Sequence, residues 1–195
     1  ITLYRDNPTN PRTSLGLDGT IRVLRVDKND DGIITSSAGD KVYLFMGMRR
    51  GGNSYYGIDV TNPSSPSLLW KIGPTELPNI GQTWSTPQVT RMNIPGTTQN
   101  SDKFVLVLGG GYDAAREDSA SPQAYVDVST APSKGAGIYV VDAISGSLLW
   151  WAGPDIGTFS PAPIIQPAKA GVGAMRYSIP ADVRVVDLTG DGYAD

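Results

Sequence analysis

The sequence predicts an all-β chain that forms part of a β-propeller, and three observations carry that expectation. The middle of the chain repeats itself. Glycine (23) and proline (15) are plentiful while apolar runs stay short, the pattern of turns and strands rather than long helices. The runs Lys41–Met46 and Phe104–Leu108 are nearly all apolar, as in strands covered on both faces. With 195 residues, 39% hydrophobic and 18% charged, the chain can bury a core.

The elements follow in order. A strand at Val23–Val26 runs into the acidic stretch Asp27-Lys28-Asn29-Asp30-Asp31-Gly32, and the same pattern returns as Val183–Val186 followed by Asp187 through Gly192. A second strand, Asp40-Lys41 through Gly47, matches Asp102-Lys103 through Gly109. A hairpin comes next. Tyr56–Asp59 and Leu68–Trp70, joined through Thr61-Asn62-Pro63, match Tyr139–Asp142 and Leu148–Trp150, joined through Ser145-Gly146-Ser147. Finally Gly81-Gln82-Thr83-Trp84-Ser85 resembles Gly157-Thr158-Phe159-Ser160, one residue shorter, each leading to a β-branched segment.

Units of roughly 40–60 residues with about four strands are propeller blades. One such sheet cannot bury both faces alone, and stacking on its neighbours supplies the core. A β-sandwich would need no repeat. Residues 1–195 are therefore expected to form part of a single propeller domain, about two to three blades. Two blades do not close a ring, the chain opens on Ile1 rather than an initiator methionine, and a further strand is expected after Asp195. The expectation is a piece of a larger propeller. Residues 112–136 read as a small-residue, partly acidic insertion on a blade surface, and 165–181 as a similar connector.

Composition excludes several chemistries. Cysteine and histidine are both absent, so no thiolate site, disulfide, histidine general base, Ser-His-Asp arrangement or histidine-ligated zinc can be built from this chain. A net charge of −3 gives no basic face for nucleic acid. No apolar run approaches the eighteen or so residues of a membrane helix, and no signal-peptide pattern opens the chain.

Oxygen donors recur at alternate positions in residues 187–195: Asp187, Thr189, Asp191, the carbonyl of Tyr193, and Asp195, with Gly192 at the turn. A hard cation such as Ca²⁺ takes six to eight oxygens, and a loop with donors at positions 1, 3, 5, 7 and 9 and glycine at 6 is a known way to wrap one. The plainer alternative is an Asp/Gly-rich polar turn. The earlier stretch places Asp27, Asn29, Asp31, the carbonyl of Ile33 and Thr35 at the same positions. It has two anionic donors instead of three, so it reads first as a polar turn and second as a weak calcium site. Arg49-Arg50 before Gly51-Gly52 is assigned no role.

The string 38–52 (Ala-Gly-Asp-Lys-Val-Tyr-Leu-Phe-Met-Gly-Met-Arg-Arg-Gly-Gly), followed by Tyr55–Pro63, Leu68–Ile72, Gly109–Tyr112, the hairpin 142–150 and Val183–Asp195, resembles the PilY family. These are surface-exposed, tip-associated proteins of bacterial type IV pili. The resemblance implies a quinoprotein-dehydrogenase-like modified propeller, seven-bladed when complete, and a calcium loop of the Asp-x-(Asp/Asn)-x-Asp-Gly-x-x-Asp kind. Its ligands here would be Asp187, Thr189, Asp191, Tyr193 and Asp195, with Thr189 a departure that weakens the third donor. It also implies a non-enzymatic role in pilus biogenesis, control of extension against retraction (twitching motility), adhesion and surface sensing. The implied partners are minor pilins and host or abiotic surfaces. The implied location is the bacterial cell surface, at the pilus tip, on the outer membrane or secreted. No Arg-Gly-Asp occurs; Arg50-Gly51-Gly52 is the nearest approach.

Two competing expectations stand beside this one. A pyrroloquinoline-quinone dehydrogenase shares the tryptophan-closed hairpin, and Trp84 would be its stacking group, although a tryptophan in a blade is more often core. A metal-free outer-membrane assembly propeller predicts that chelation changes nothing.

Overall fold

The computed structural model describes residues 16–77, 79–94, 102–118, 133–154 and 175–194. The Gly157–Ser160 motif, residues 119–132 of the insertion, residues 165–174 of the second connector, and Asp195 lie outside them. Among the described residues eight strands form two four-stranded antiparallel sheets with strand orders β1-β2-β3-β4 and β5-β6-β7-β8. The first sheet comprises β1 (Arg22–Val26), β2 (Lys41–Gly47), β3 (Tyr55–Asp59) and β4 (Ser67–Ile72). The second comprises β5 (Gln88–Asn93), β6 (Asp102–Gly109), β7 (Ile138–Asp142) and β8 (Leu148–Ala152). This is the partial propeller arrangement read from the sequence, without a closed ring.

The repeat is structural as well as verbal. Both hairpins carry a register shift at the same place, between Gly57 and Ile58 in one and between Val140 and Val141 in the other. Both also carry the same cross-strand ion pair. Lys41 reaches Asp59 at 3.5 Å and Lys103 reaches Asp142 at 2.6 Å. In each case the lysine stands two residues before the residue that faces the aspartate, the diagonal contact available on one face of an antiparallel pair. Burial pushes the Asp142 carboxyl upward, but Lys103 and the N–H groups of Ser145 and Ile144 outweigh it and hold it below its usual range.

The main core lies between the sheets. Leu24, Tyr43, Phe45, Tyr55, Trp70 and Ile72 of the first meet Leu106, Leu108, Tyr139, Val141, Leu148 and Trp151 of the second. Trp70 is the keystone. It faces Gly57 across the ladder, where an added Cβ would stand 2.5 Å from the indole, so the missing side chain lets the ring lie over the strand. There it stacks on Phe45, with centroids 5.7 Å apart and 12° between planes, a favoured aromatic arrangement. Its Nε1–H donates to the Ala143 carbonyl of the second sheet at 3.0 Å. Gly146, at φ +72, lies so close that a Cβ would sit 2.9 Å from the Trp70 ring. The tryptophan that closes the hairpin is thus a docking device between sheets.

One expected strand is not formed. Val183–Val186 has no ladder partner among the described residues. β1 is a strand because β2 pairs with it, and no described residue occupies β2's place beside Val183–Val186. Instead Val183 and Val185 pack on the outer face of the second sheet with Val140, Val107 and Trp150. Val185 borders a groove of ≈ 640 Å³ that Leu188 and Ala194 also line.

The insertion between β6 and β7 has anchored ends. Asp113 caps the short helix α1 (Ala114–Glu117) through the Arg116 N–H and accepts the Lys134 N–H at 2.8 Å, while the Asn79 side chain donates to the Ser133 carbonyl.

Candidate metal centre

The acidic loop after Val186 is built by its first and fifth positions. Asp187 Oδ1 accepts the Gly190 N–H at 2.6 Å and, more weakly, the Thr189 hydroxyl at 3.4 Å; its Oδ2 accepts the Gly192 N–H at 2.8 Å. Asp191 Oδ1 accepts the Tyr193 N–H at 2.9 Å. The chain can turn this tightly because Gly190 and Gly192 have φ of 74° and 89°, the left-handed region that glycine enters at little cost. These backbone donors hold the Asp187 carboxyl below the usual carboxylate range, the Gly192 N–H contributing most. The group therefore stays anionic at neutral pH.

A carboxylate oxygen has two lone pairs, so Asp187 Oδ1, with the Gly190 N–H and the Thr189 hydroxyl, is fully engaged, while Oδ2 accepts the Gly192 N–H. The second oxygen of Asp191 carries no hydrogen bond among the described residues. This donor chemistry fits a hard divalent cation. The structure brings Asp187, Thr189, Asp191 and Tyr193 into one turn. Among the described residues no group of three acidic side chains converges, and Asp195, the third carboxylate, lies outside them.

The loop is moored to the second sheet through Arg91, a residue the sequence did not single out. The Ala194 N–H donates to the Arg91 carbonyl of β5 at 2.8 Å. The Arg91 guanidinium lies 5.2 Å from the Tyr193 ring centroid and 5.7 Å from that of Phe104, its cross-strand partner. Asp102 holds the guanidinium through both Nε, at 3.1 Å to Oδ1, and Nη2. No local pattern announces this contact, because Arg91 and Tyr193 are brought together only by the fold.

The first acidic loop has the same backbone path. Asp27 Oδ2 accepts the Gly32 N–H at 2.8 Å and Asp31 Oδ1 accepts the Ile33 N–H at 2.7 Å, the counterparts of the bonds made by Asp187 and Asp191. Asp30 and Gly32 have φ of 55° and 79°, where the later loop has two glycines. Its interior differs. The Asn29 amide donates to Asp31 Oδ2 at 2.8 Å, so both Asp31 oxygens are engaged. Asp40, a buried residue, closes the loop from behind by accepting the Lys28 N–H at 2.9 Å and the Thr35 N–H at 2.8 Å. Those two bonds, Lys28's first, lower its pKa. Thr35 thus enters the loop through its backbone.

Trp84 is covered. Arg49 and Arg50 place their guanidinium carbons 5.7 Å and 5.9 Å from its ring centroid, and Tyr112 meets it edge-on. The Tyr112 hydroxyl donates to Asp118 at 2.7 Å, which pushes its pKa up to about 12.

No family model matches the chain. Over 77 residues, 40% of its length, it is 31% identical to the type IV pilus biogenesis factor PilY1 of Pseudomonas aeruginosa strain PAO1, and equally to that of strain PAK. Over that stretch the chain is similar to a PilY1 protein. The matched stretch spans only 6% of those relatives. The crystal structure of the P. aeruginosa PilY1 C-terminal domain shares the fold, with a TM-score of 0.55 at 21% identity; the match covers 92% of this chain and 27% of that one. Among the described residues no helix is long and apolar enough to cross a membrane.

Proposed function

We propose that this chain is a calcium-binding propeller segment of a type IV pilus-associated surface protein, acting in pilus biogenesis, retraction control, adhesion and surface sensing without catalysis of its own. The sequence relationship to a pilus biogenesis factor supports the pilus assignment. The partners are pilus components such as minor pilins, met at the cell surface.

The metal assignment rests on one observation. Asp187 is fixed by two left-handed glycine N–H groups, and the Asp191 oxygen that does not accept the Tyr193 N–H keeps its acceptor capacity. Asp187 and Asp191 are the anionic donors, Thr189 a neutral one, and Tyr193 contributes its carbonyl; Asp195 completes the set. A bound calcium supplies the positive charge that relieves repulsion among the three carboxylates. The residues themselves hold the turn against the sheet through Ala194 and Arg91, so the loop joins the Val183–Val186 segment to β5.

Calorimetric titration of the purified chain with calcium tests this reading. One ion per chain is expected, lost in Asp191→Ala. A wild-type chain that takes up no calcium at millimolar concentration refutes the metal assignment. Absence of the full-length protein from sheared pili would refute the pilus assignment separately.

A further inference from the structure

Arg91 lies outside the acidic loop, yet three features aim it at the loop's seventh position. Its carbonyl accepts the Ala194 N–H. Its guanidinium is packed between the rings of Phe104 and Tyr193. Asp102 grips that guanidinium by two nitrogens. The N–H and C=O of one trans peptide point in opposite directions. With the Ala194 N–H directed at β5, the Tyr193 carbonyl of the same peptide is turned away from the strand, on the side left to the loop.

We infer that Arg91 is the positioning residue of the acidic loop: together with Asp102 it clamps Tyr193, so that the Tyr193 carbonyl is presented as a cation donor before any ion arrives. The inference rests on the calcium reading above and adds the device that organises the site. A backbone carbonyl on a surface turn can rotate freely. Ordering it in advance removes that cost from the binding step. Such outer-shell partners typically carry 10–100-fold in metal affinity.

The charge of Arg91 is consistent with this role. A lone guanidinium beside a divalent cation would repel it, but the Asp102 carboxylate neutralises it in place. The planar fork also matters, because it grips Asp102 by two bonds while presenting a flat face to each ring. A lysine offers neither.

The test is calcium titration of the full chain, with amide hydrogen exchange at Ala194 read in the calcium-free state. Arg91→Ala is expected to weaken calcium roughly 10–100-fold and to speed exchange at Ala194. Arg91→Lys should recover little of either. Tyr193→Ala keeps the carbonyl and removes the ring, and should match Arg91→Ala. The double variant should be no weaker than either single one, whereas Tyr193→Phe should resemble wild type. Equal affinity in Arg91→Ala and wild type, or additive losses in the double variant, overturns the inference while leaving the calcium reading intact. A wild-type chain without calcium uptake overturns the calcium reading itself. Should Arg91→Ala fail to fold, Tyr193→Ala alone decides the matter by the same two readouts.

Discussion

The two acidic loops have one backbone path and opposite interiors. In both, the first aspartate accepts the N–H of the glycine at position 6, the fifth-position aspartate accepts the N–H of residue 7, and positions 4 and 6 are left-handed. In the first loop Asn29 donates into Asp31 and Asp40 ties positions 2 and 9 from behind. Both Asp31 oxygens and both Asp40 oxygens are thus engaged, while Asp27 Oδ1 is buried without a hydrogen-bond partner among the described residues. In the second loop the third position is a hydroxyl that donates only weakly to Asp187, and the tie to the sheet goes through a main-chain carbonyl of β5. The same turn engages both oxygens of its fifth-position aspartate in one place and only one of them in the other. What separates them is where the side-chain donors are, not how the chain bends.

The widest expected gap between the loops is in metal binding. Asp187→Ala should weaken calcium by on the order of 100-fold or more, while Asp27→Ala leaves the one-ion stoichiometry unchanged by calorimetry. Loss of an ion in Asp27→Ala would make the loops equivalent.

A second break tests whether the loops rest on sheets that stand independently. Trp70→Ala removes an indole stacked on Phe45 and bonded to Ala143. It should cost about 3–5 kcal/mol by denaturant unfolding, with exposure of both sheets in one transition. Gly146→Ala, which places a methyl against the same ring at positive φ, should destabilise in the same direction.

Acid should weaken both loops, and one substitution separates their shares. Asp40 and Asp187 both have depressed pKa values in the folded chain. Their contributions are therefore fully present above the ordinary aspartate value near 4 and are lost as pH falls through the lower folded values. Unfolding midpoints should be flat from about pH 5 to 8 and decline below about 4. Asp40→Asn should flatten that decline, because the amide cannot accept both N–H groups through two oxygens.

The smallest effect concerns position 4. Asp30 sits at φ 55° where the later loop has Gly190. Asp30→Gly relieves the left-handed strain but adds freedom to the unfolded chain, so a gain of only about 0.5 kcal/mol is expected. A loss would show that the Asp30 side chain makes a contact that matters.

The strands β2, β3, β4, β6, β7 and β8 were legible because their apolar runs are short, bounded by glycine or turn residues, and repeated. The acidic loops were legible for a similar reason: their donors alternate within nine residues. Val183–Val186 carries the same signal as β1 and yet forms no ladder, since pairing depends on a partner strand that a local pattern does not report. The roles of Asp40 and Arg91 were not legible either. Asp40 looked like the late head of a strand, and Arg91 like one polar residue in a β-branched run. Each acts through backbone groups or rings that only folding brings near, and composition holds no trace of that.

The seat of Trp70 has a last consequence. One sheet offers a ring and the next offers the cleft formed by Ala143 and Gly146, so the join has a tongue side and a groove side. Trp150 stands in β8 opposite Val140, as Trp70 stands in β4 opposite Gly57, and lines the groove that Val185 borders. Layers joined this way have polarity: they extend head to tail in one sense, and reversing any layer would leave two tongues facing each other.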